Sequence, residues 1–337
     1  MAKVHASELA KKQKQISVAE FFEKNRHLLG FDNPRRALLT TIKEAVDNSL
    51  DACEEARILP EISVEIIQLN EKRFRVIVED NGPGIVKKQV PNIFARLLYG
   101  SKFHKRAQTR GQQGIGISAS VLYGQLTTGK PAKVMTKVER GAKGYECRVK
   151  IDTLSNLPVV SDENEFEWDE KEHGTRIEID LDGHYQKGRQ SVDEYMKQTA
   201  IVNPHSTFIY TDPNANQLIF PRVAHVLPPE AKEIRPHPYG VELGILMKMM
   251  KLTSEKTVGK FLKNDFESVG PKTVKEICAN SSLLPTMKVK AVSREHCEKL
   301  IKGIERTKIK APPTDCISPI TSELLEKGLR KEINAEF

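Results

Sequence analysis

Apolar and polar positions recur along this chain with two different periods, and the longest stretch with a helical period is Ala37 to Ala56, ALLTTIKEAVDNSLDACEEA. At roughly 100° per residue, Leu38, Ile42, Ala45, Val46, Leu50 and Cys53 share one arc of a helix. Glu44, Asp47, Asn48 and Asp51 fall on the opposite arc, spaced i, i+3, i+4 and i+7. A polar arc of this kind is usually turned to water. Asn48 argues for another use, because it is a mediocre helix former in the middle of the patch. Three carboxylates around one amide also suit a divalent cation and an activated water. On this stretch alone both readings stand.

Around that helix the pattern predicts a succession of elements. Val18 to Leu29 reads as a short helix closed by Gly30, and Asp32, Asn33 and Pro34 set the start of the long one. Two strands follow, Ile62 to Leu69 and Phe74 to Val78, joined by a turn at Asn70 to Arg73. A helix is expected over Lys87 to Leu98 and another from Ala119 to Tyr123. Strands are expected within Lys133 to Lys150 and over Thr175 to Leu181, with an acidic loop, Ser161 to Glu172, between them. Ser191 to Ile201 reads as helix and Thr207 to Thr211 as strand. The result is an α+β layered sandwich over roughly residues 20 to 222.

The pattern then changes. Pro228, Pro229, Pro236 and Pro238 mark a linker, and beyond it strand signals nearly vanish. Helices are expected over Val241 to Met250, Thr257 to Phe261, Pro271 to Ala279 and Ser293 to Ile304, ending before Pro312-Pro313.

With 337 residues there is room for both units, each with its own core. The formal charge of +8 arises from 53 basic against 45 acidic residues, a mixed surface with a basic surplus that permits a nucleic-acid partner without requiring one. Five scattered cysteines without a CxxC pair argue for reduced thiols and against a zinc site, hence a cytoplasmic setting. The opening MAKVHASELAKKQKQ is too polar for a signal peptide. No apolar run approaches the roughly 20 residues needed to cross a bilayer, so no membrane partner is expected.

Three further motifs carry candidate chemistry. Asp80-Asn-Gly-Pro-Gly84 ends a strand, where the aspartate can accept a hydrogen bond from an exocyclic amine such as adenine N6, and Gly82 and Gly84 let the backbone pass close to a flat ring. A plain turn explains the same residues. Gly111-Gln112-Gln113-Gly114-Ile115-Gly116-Ile117-Ser118 offers open backbone amides before a helix, a phosphate cradle that is neither a P-loop nor a Rossmann fingerprint. Ser101, Lys102, Lys105, Arg106 and Arg110 suit phosphates or form a solvated basic loop. Gly174-Thr175 heads a strand that can bring a hydroxyl near Asp80.

The order and spacing of E-x-x-x-N, D-x-G-x-G, the glycine-rich loop and GT resemble the GHKL (Bergerat-fold) ATPase superfamily of gyrase, the large heat-shock chaperones, the histidine kinases and MutL. Ile16 to Phe31, Ala37 to Ala56, Leu97 to His104 and Thr109 to Tyr123 look like the B subunits of archaeal type IIB DNA topoisomerases, a likeness that runs from about residue 5 to the end. The resemblance implies a two-layer sandwich of the GHKL fold followed by a small helix-two-turns-helix domain. It implies an N-terminal arm over residues 1–20, an ATP-binding domain over 21–228, the helical domain over 229–310 and the start of a truncated transducer domain over 311–337. In that family the transducer contributes a lysine to the γ-phosphate, and this sequence stops before such a residue.

By the same resemblance Glu44 is the catalytic base that deprotonates the attacking water, and Asn48 is the Mg²⁺ ligand. Asp80 reads adenine, with Gly82 and Gly84 shaping the pocket and Thr175 helping to hold the base. Ser101, Lys102 and the run Gly111, Gln112, Gln113, Gly114, Ile115, Gly116, Ile117 and Ser118 close over the phosphates of ATP. Asp47 and Asp51 either orient Glu44 or solvate the helix. The implied partners are a second copy of the chain on ATP binding, double-stranded DNA, and a DNA-cleaving A subunit in a heterotetramer of two A and two B subunits. The alternative of a different class is a non-enzymatic DNA-binding or docking protein with a degenerate nucleotide fold.

Overall fold

The computed structural model describes residues 16–101, 106–111 and 114–332. The greater part of the proposed arm, residues 1–15, lies outside them. The described residues form two compact units: one holds 16–101, 109–111, 114–228 and 320–332, the other 106–108 and 229–319.

The first unit begins with α1 (Val18–Lys24), whose first turn is capped by the Ser17 hydroxyl accepting from Glu20 N–H at 3.0 Å. Residues 18–20, expected in the arm, are therefore helix. A 3₁₀ turn and left-handed Gly30 lead into α2 (Pro34–Glu55), which has Asn33 as its cap and Pro34 in its first turn. There follow β1 (Glu61–Gln68), β2 (Arg73–Asp80), α3 (Val90–Ala95), α4 (Gly116–Thr128), β3 (Ala132–Lys137) and β4 (Gly144–Asp152). Next come β5 (Leu157–Phe166), β6 (Gly174–Asp182), α5 (Val192–Val202), β7 (Thr207–Thr211) and β8 (Gln217–Phe220).

The strands form one sheet in the order β5-β4-β3-β6-β2-β1-β7-β8. Among the described residues only β1 and β7 pair in parallel, Glu61 opposite Thr207. Ile62, Val64 and Ile66 of β1, Phe74, Val76 and Val78 of β2, and Ile177, Ile179 and Leu181 of β6 share a face with the apolar arc of α2 and with α4. Leu38, Ile42, Ala45, Val46, Leu50 and Cys53 are all buried, as the helical period demands. The other parity of the central strands carries ion pairs instead, including Arg75 to Asp180 at 2.7 Å and Arg176 to Glu79 at 3.0 Å.

Three expectations need correction. The helix expected over Lys87 to Leu98 is confined to six residues, because Pro91 sits in its first turn and Arg96 is extended before Leu98 turns to φ +59°. The first half of the expected acidic loop, Ser161 to Phe166, belongs to β5. Its carboxylates lie along an edge strand, where Asp162 meets Arg148 and Glu163 meets Lys87, so pairing with β4 overrides a composition poor in strand formers. Strand β8 went unanticipated; Asp212 forms its turn by accepting from the N–H groups of Asn214 and Asn216.

In the second unit α6 (Leu243–Leu252), α7 (Val258–Asp265), α8 (Pro271–Asn280) and α9 (Arg294–Glu305) enclose Phe261, Leu262, Phe266, Ile277, Leu300 and Ile304. Residues 106–108 belong to this unit, where Gln108 N–H donates to Cys316 O at 2.7 Å and Gln108 Oε1 accepts from Ser318 N–H at 2.7 Å. The last helix, α10 (Ser322–Glu332), returns to the first unit and packs on α5.

Asn156, at φ +55° in the β4–β5 turn, binds both backbone groups of Leu97: its Oδ1 accepts from the N–H at 3.1 Å, and its Nδ2 donates to the C=O at 3.0 Å. Asn156→Ala orphans both groups and is expected to cost about 1–3 kcal/mol. Chemical denaturation at neutral pH measures it; an unchanged midpoint would mean that water takes over both bonds.

Candidate functional site

The sheet's register sets one end of the site. Asp80 is the last residue of β2 and has the parity of Phe74, Val76 and Val78, so its carboxylate points toward α2 rather than to the ion-paired face. It is 5% exposed. Oδ2 accepts from the Ser49 hydroxyl at 2.7 Å, and Oδ1 accepts from the N–H groups of Gly82 at 2.9 Å and Thr175 at 3.2 Å. Burial pushes its pKa up, and these three donors counter it. Thr175 stands opposite Asp80 in the β2–β6 ladder, which explains why its backbone serves here. Gly84, at φ +70°, lies so close to β3 that a Cβ would come within 2.0 Å of Lys137 O.

Helix α2 and the start of α4 set the other end. Glu44 and Asn48 both line a cavity of about 1090 Å³ that also reaches Asp80. Glu44 is half-buried, and burial raises its pKa; Lys43 pulls the other way and Asp47 adds to the rise. Its carboxylate lies against the first turn of α4: a Cβ on Gly116 would stand 1.7 Å from Glu44 Oε2. Gly111 is also near Asn48, its Cβ position being 3.7 Å from Asn48 Oδ1.

The cavity lining brings together Glu44, Asn48, Asp80, Gly84, Ser101, Gly111, Gly114, Ile115, Gly116, Ile117 and Thr175. Gly82 and Ser118 stand outside that lining. Gly82 serves Asp80 through its N–H, while the Ser118 hydroxyl turns back to donate to Ile115 O at 3.1 Å inside α4. Lys102, Gln112 and Gln113 lie outside the described residues, as does Lys105. The helix α4 starts at Gly116, three residues before the expected Ala119, so the last glycine of the run is already in its first turn.

Two participants, Ser49 and His173, escaped the sequence reading, and Asp47 and Asp51 found partners it did not anticipate. Ser49 borders the polar arc beside Asn48, and its role depends on the side from which β2 delivers Asp80. His173 Nδ1 lies 2.8 Å from Gly82 O, steadying the turn that follows Asp80. Asp47 faces α5, where it accepts from the Tyr195 hydroxyl at 3.4 Å and pairs with Lys43. Asp51, on the polar arc, is buried beneath Arg110.

Residues 33–184, which contain all of these site residues up to Thr175, match the family described as "Histidine kinase-, DNA gyrase B-, and HSP90-like ATPase". Over its whole length the chain is 52% identical to the B subunit of type 2 DNA topoisomerase 6 from Methanococcoides burtonii. Its whole length is similar to the corresponding part of that B subunit. The counterparts from Methanosarcina barkeri and Archaeoglobus fulgidus are 50% and 45% identical over 98% and 97% of this chain. The chain spans about half the length of these B subunits, 54% in each case. Among the described residues no helix is long and apolar enough to cross a membrane.

Arg110 gives the first unit a pH-sensitive tie. Burial pushes Glu54 up, but hydrogen bonds from His205 and Arg110 and the Arg110 charge outweigh it and hold Glu54 at about 2, below its ordinary 4.5. Its contribution to stability is therefore complete above about 4.5 and is lost as pH falls toward about 2. Glu54→Gln is expected to remove about 2 kcal/mol at neutral pH and to flatten the acid side of the stability profile. Urea midpoints from pH 7 to pH 3 check this, and parallel profiles for the two proteins would contradict it.

Proposed function

We propose that this chain is the ATP-binding and ATP-hydrolysing portion of a type II DNA topoisomerase. The observation that carries the proposal is the cavity with a base-reading carboxylate at one end and a general base beside open helix amides at the other. Asp80 Oδ2 has one bond from Ser49 and keeps acceptor capacity for the exocyclic amine of adenine. The opposite end presents the amides of the first turn of α4 to the phosphates, without side-chain obstruction at Gly114 and Gly116.

Glu44 orients a water for in-line attack on the γ-phosphate and takes its proton. Among the described residues no hydrogen bond engages its carboxylate, and its raised pKa makes it a better base than an exposed glutamate. Asn48 would hold Mg²⁺, which would supply positive charge against the phosphates. The donor set fits that ion: no group of three His, Cys, Asp or Glu side chains is poised for a metal among the described residues, whereas the Asn48 amide lines the cavity. Magnesium characteristically takes one or two protein groups plus substrate phosphates.

In this reading two copies bind ATP, associate and trap a DNA duplex, while an A subunit cuts and reseals another, in an assembly of two A and two B subunits. The relatives' naming as B subunits of a type 2 topoisomerase supports it. The second unit corresponds to the helix-two-turns-helix domain, and its Lys272, Lys288, Lys290, Lys299, Lys302, Arg306, Lys308 and Lys310 suit DNA phosphates.

A non-hydrolysable ATP analogue is expected to convert monomer to dimer in a light-scattering mass measurement, and Asp80→Asn to abolish the conversion. A mass that stays monomeric at saturating analogue sinks the ATP-driven association. Duplex binding indifferent to nucleotide would favour the non-enzymatic alternative. In the assembled enzyme, Glu44→Ala should leave analogue affinity within about threefold of wild type and cut turnover at least about 100-fold. If analogue binding disappears instead, α2 has been assigned the wrong task.

A further inference from the structure

Arg110 immediately precedes the glycine loop and hydrogen-bonds three residues, Asp51, Glu54 and Asn203. Its backbone N–H donates to Asp51 Oδ2 at 3.3 Å. One guanidinium nitrogen donates to Asp51 Oδ1 at 3.0 Å and to Glu54 Oε2 at 2.7 Å. The other donates to Glu54 Oε1 at 2.8 Å and to Asn203 Oδ1 at 2.7 Å. Every acceptor is itself held. Asp51 and Glu54 sit three residues apart on α2, the same helix as Asn48, and His205 Nε2 lies 2.9 Å from Glu54 Oε1. Asn203 Nδ2 donates to Thr199 O at 2.8 Å. The Asp51 and Glu54 side chains are 6% and 21% exposed, so a guanidinium fork fits a geometry that a point charge cannot match.

The next residue, Gly111, is the one that stands beside Asn48, and Thr109 Oγ1 donates to Gly111 O at 3.3 Å. A clamp on Arg110 thus fixes the distance between the root of the glycine loop and the polar arc of α2. Asp80 lies at the other end of the cavity and shares no hydrogen bond with the clamp among the described residues.

We infer that Arg110 is a positioning residue for the phosphate end of the site. Clamped by Asp51, Glu54 and Asn203, with His205 bracing Glu54, it sets Gly111 against Asn48 and so tunes the affinity for the polyphosphate without touching the base. The inference rests on the nucleotide reading above. Its action passes through Gly111, so loosening the clamp changes how the two ends of the ligand are weighted.

The test compares two ligands, a non-hydrolysable ATP analogue and adenosine, by titration against wild type, Arg110→Lys and His205→Gln. Arg110→Lys keeps the charge and loses the fork. It is expected to weaken the analogue about tenfold and to leave adenosine within about twofold. His205→Gln leaves the fork intact and should give a smaller loss in the same direction, which keeps the test alive if Arg110→Lys does not fold. Equal losses for both ligands would reveal a merely structural role, and unchanged affinities for both would show the clamp to be idle. Either result overturns the inference. A wild-type chain that binds neither ligand overturns the nucleotide reading itself and takes the clamp with it.

Discussion

A carboxylate removed from water must be met by donors on every side, and Asp80 meets that demand by recruiting three separate parts of the first unit. Ser49 comes from α2, Gly82 from the turn that follows β2, and Thr175 from β6. Only the Gly82 N–H, two residues on, is local; Ser49 and Thr175 come from 31 and 95 residues away. Helix, turn and neighbouring strand have to arrive together for the charge to be tolerated. The base end of the cavity is therefore assembled by the same contacts that seat α2 on the sheet.

The phosphate end obeys a different rule. There the limiting quantity is space: Glu44 occupies the volume that any side chain at position 116 would fill, and Gly111 approaches Asn48 with no side chain of its own between them. Steric vacancy lets α4 present its first amides beside the candidate base, and the Arg110 cluster holds that vacancy at a set width. In the nucleotide reading proposed above, electrostatic anchoring at one end and close approach at the other divide the recognition of a single ligand between two kinds of force.

Much of this was readable from the residues, for reasons that are local. The long helix announces itself through a six-residue apolar arc, Asn33 and Pro34, all of which act within a turn or two of themselves. The parity of β2 points Asp80 inward in the same way. What stayed hidden depends on partners far away in sequence. An aspartate on a polar arc looks the same whether it faces water, as suggested for Asp51, or lies under a guanidinium delivered from beyond the next helix. The acids of β5 suggest a loop until β4 supplies a ladder for them, and His173 has no visible task until Gly82 is folded beside it. Motif order did carry the family resemblance, because each motif sits at a joint between elements where geometry restricts the residue.

The parallel pairing of β1 with β7 has a bearing on how the protein comes into being. Much of what lines the cavity, from β2 to β6, is threaded between these two strands, so their ladder closes one very long loop. On the ribosome β1 therefore waits with one edge unpaired until β7 has been synthesised and released. Such a distant pairing slows folding, and the waiting edge is where a nascent chain of this kind is most open to wrong partners.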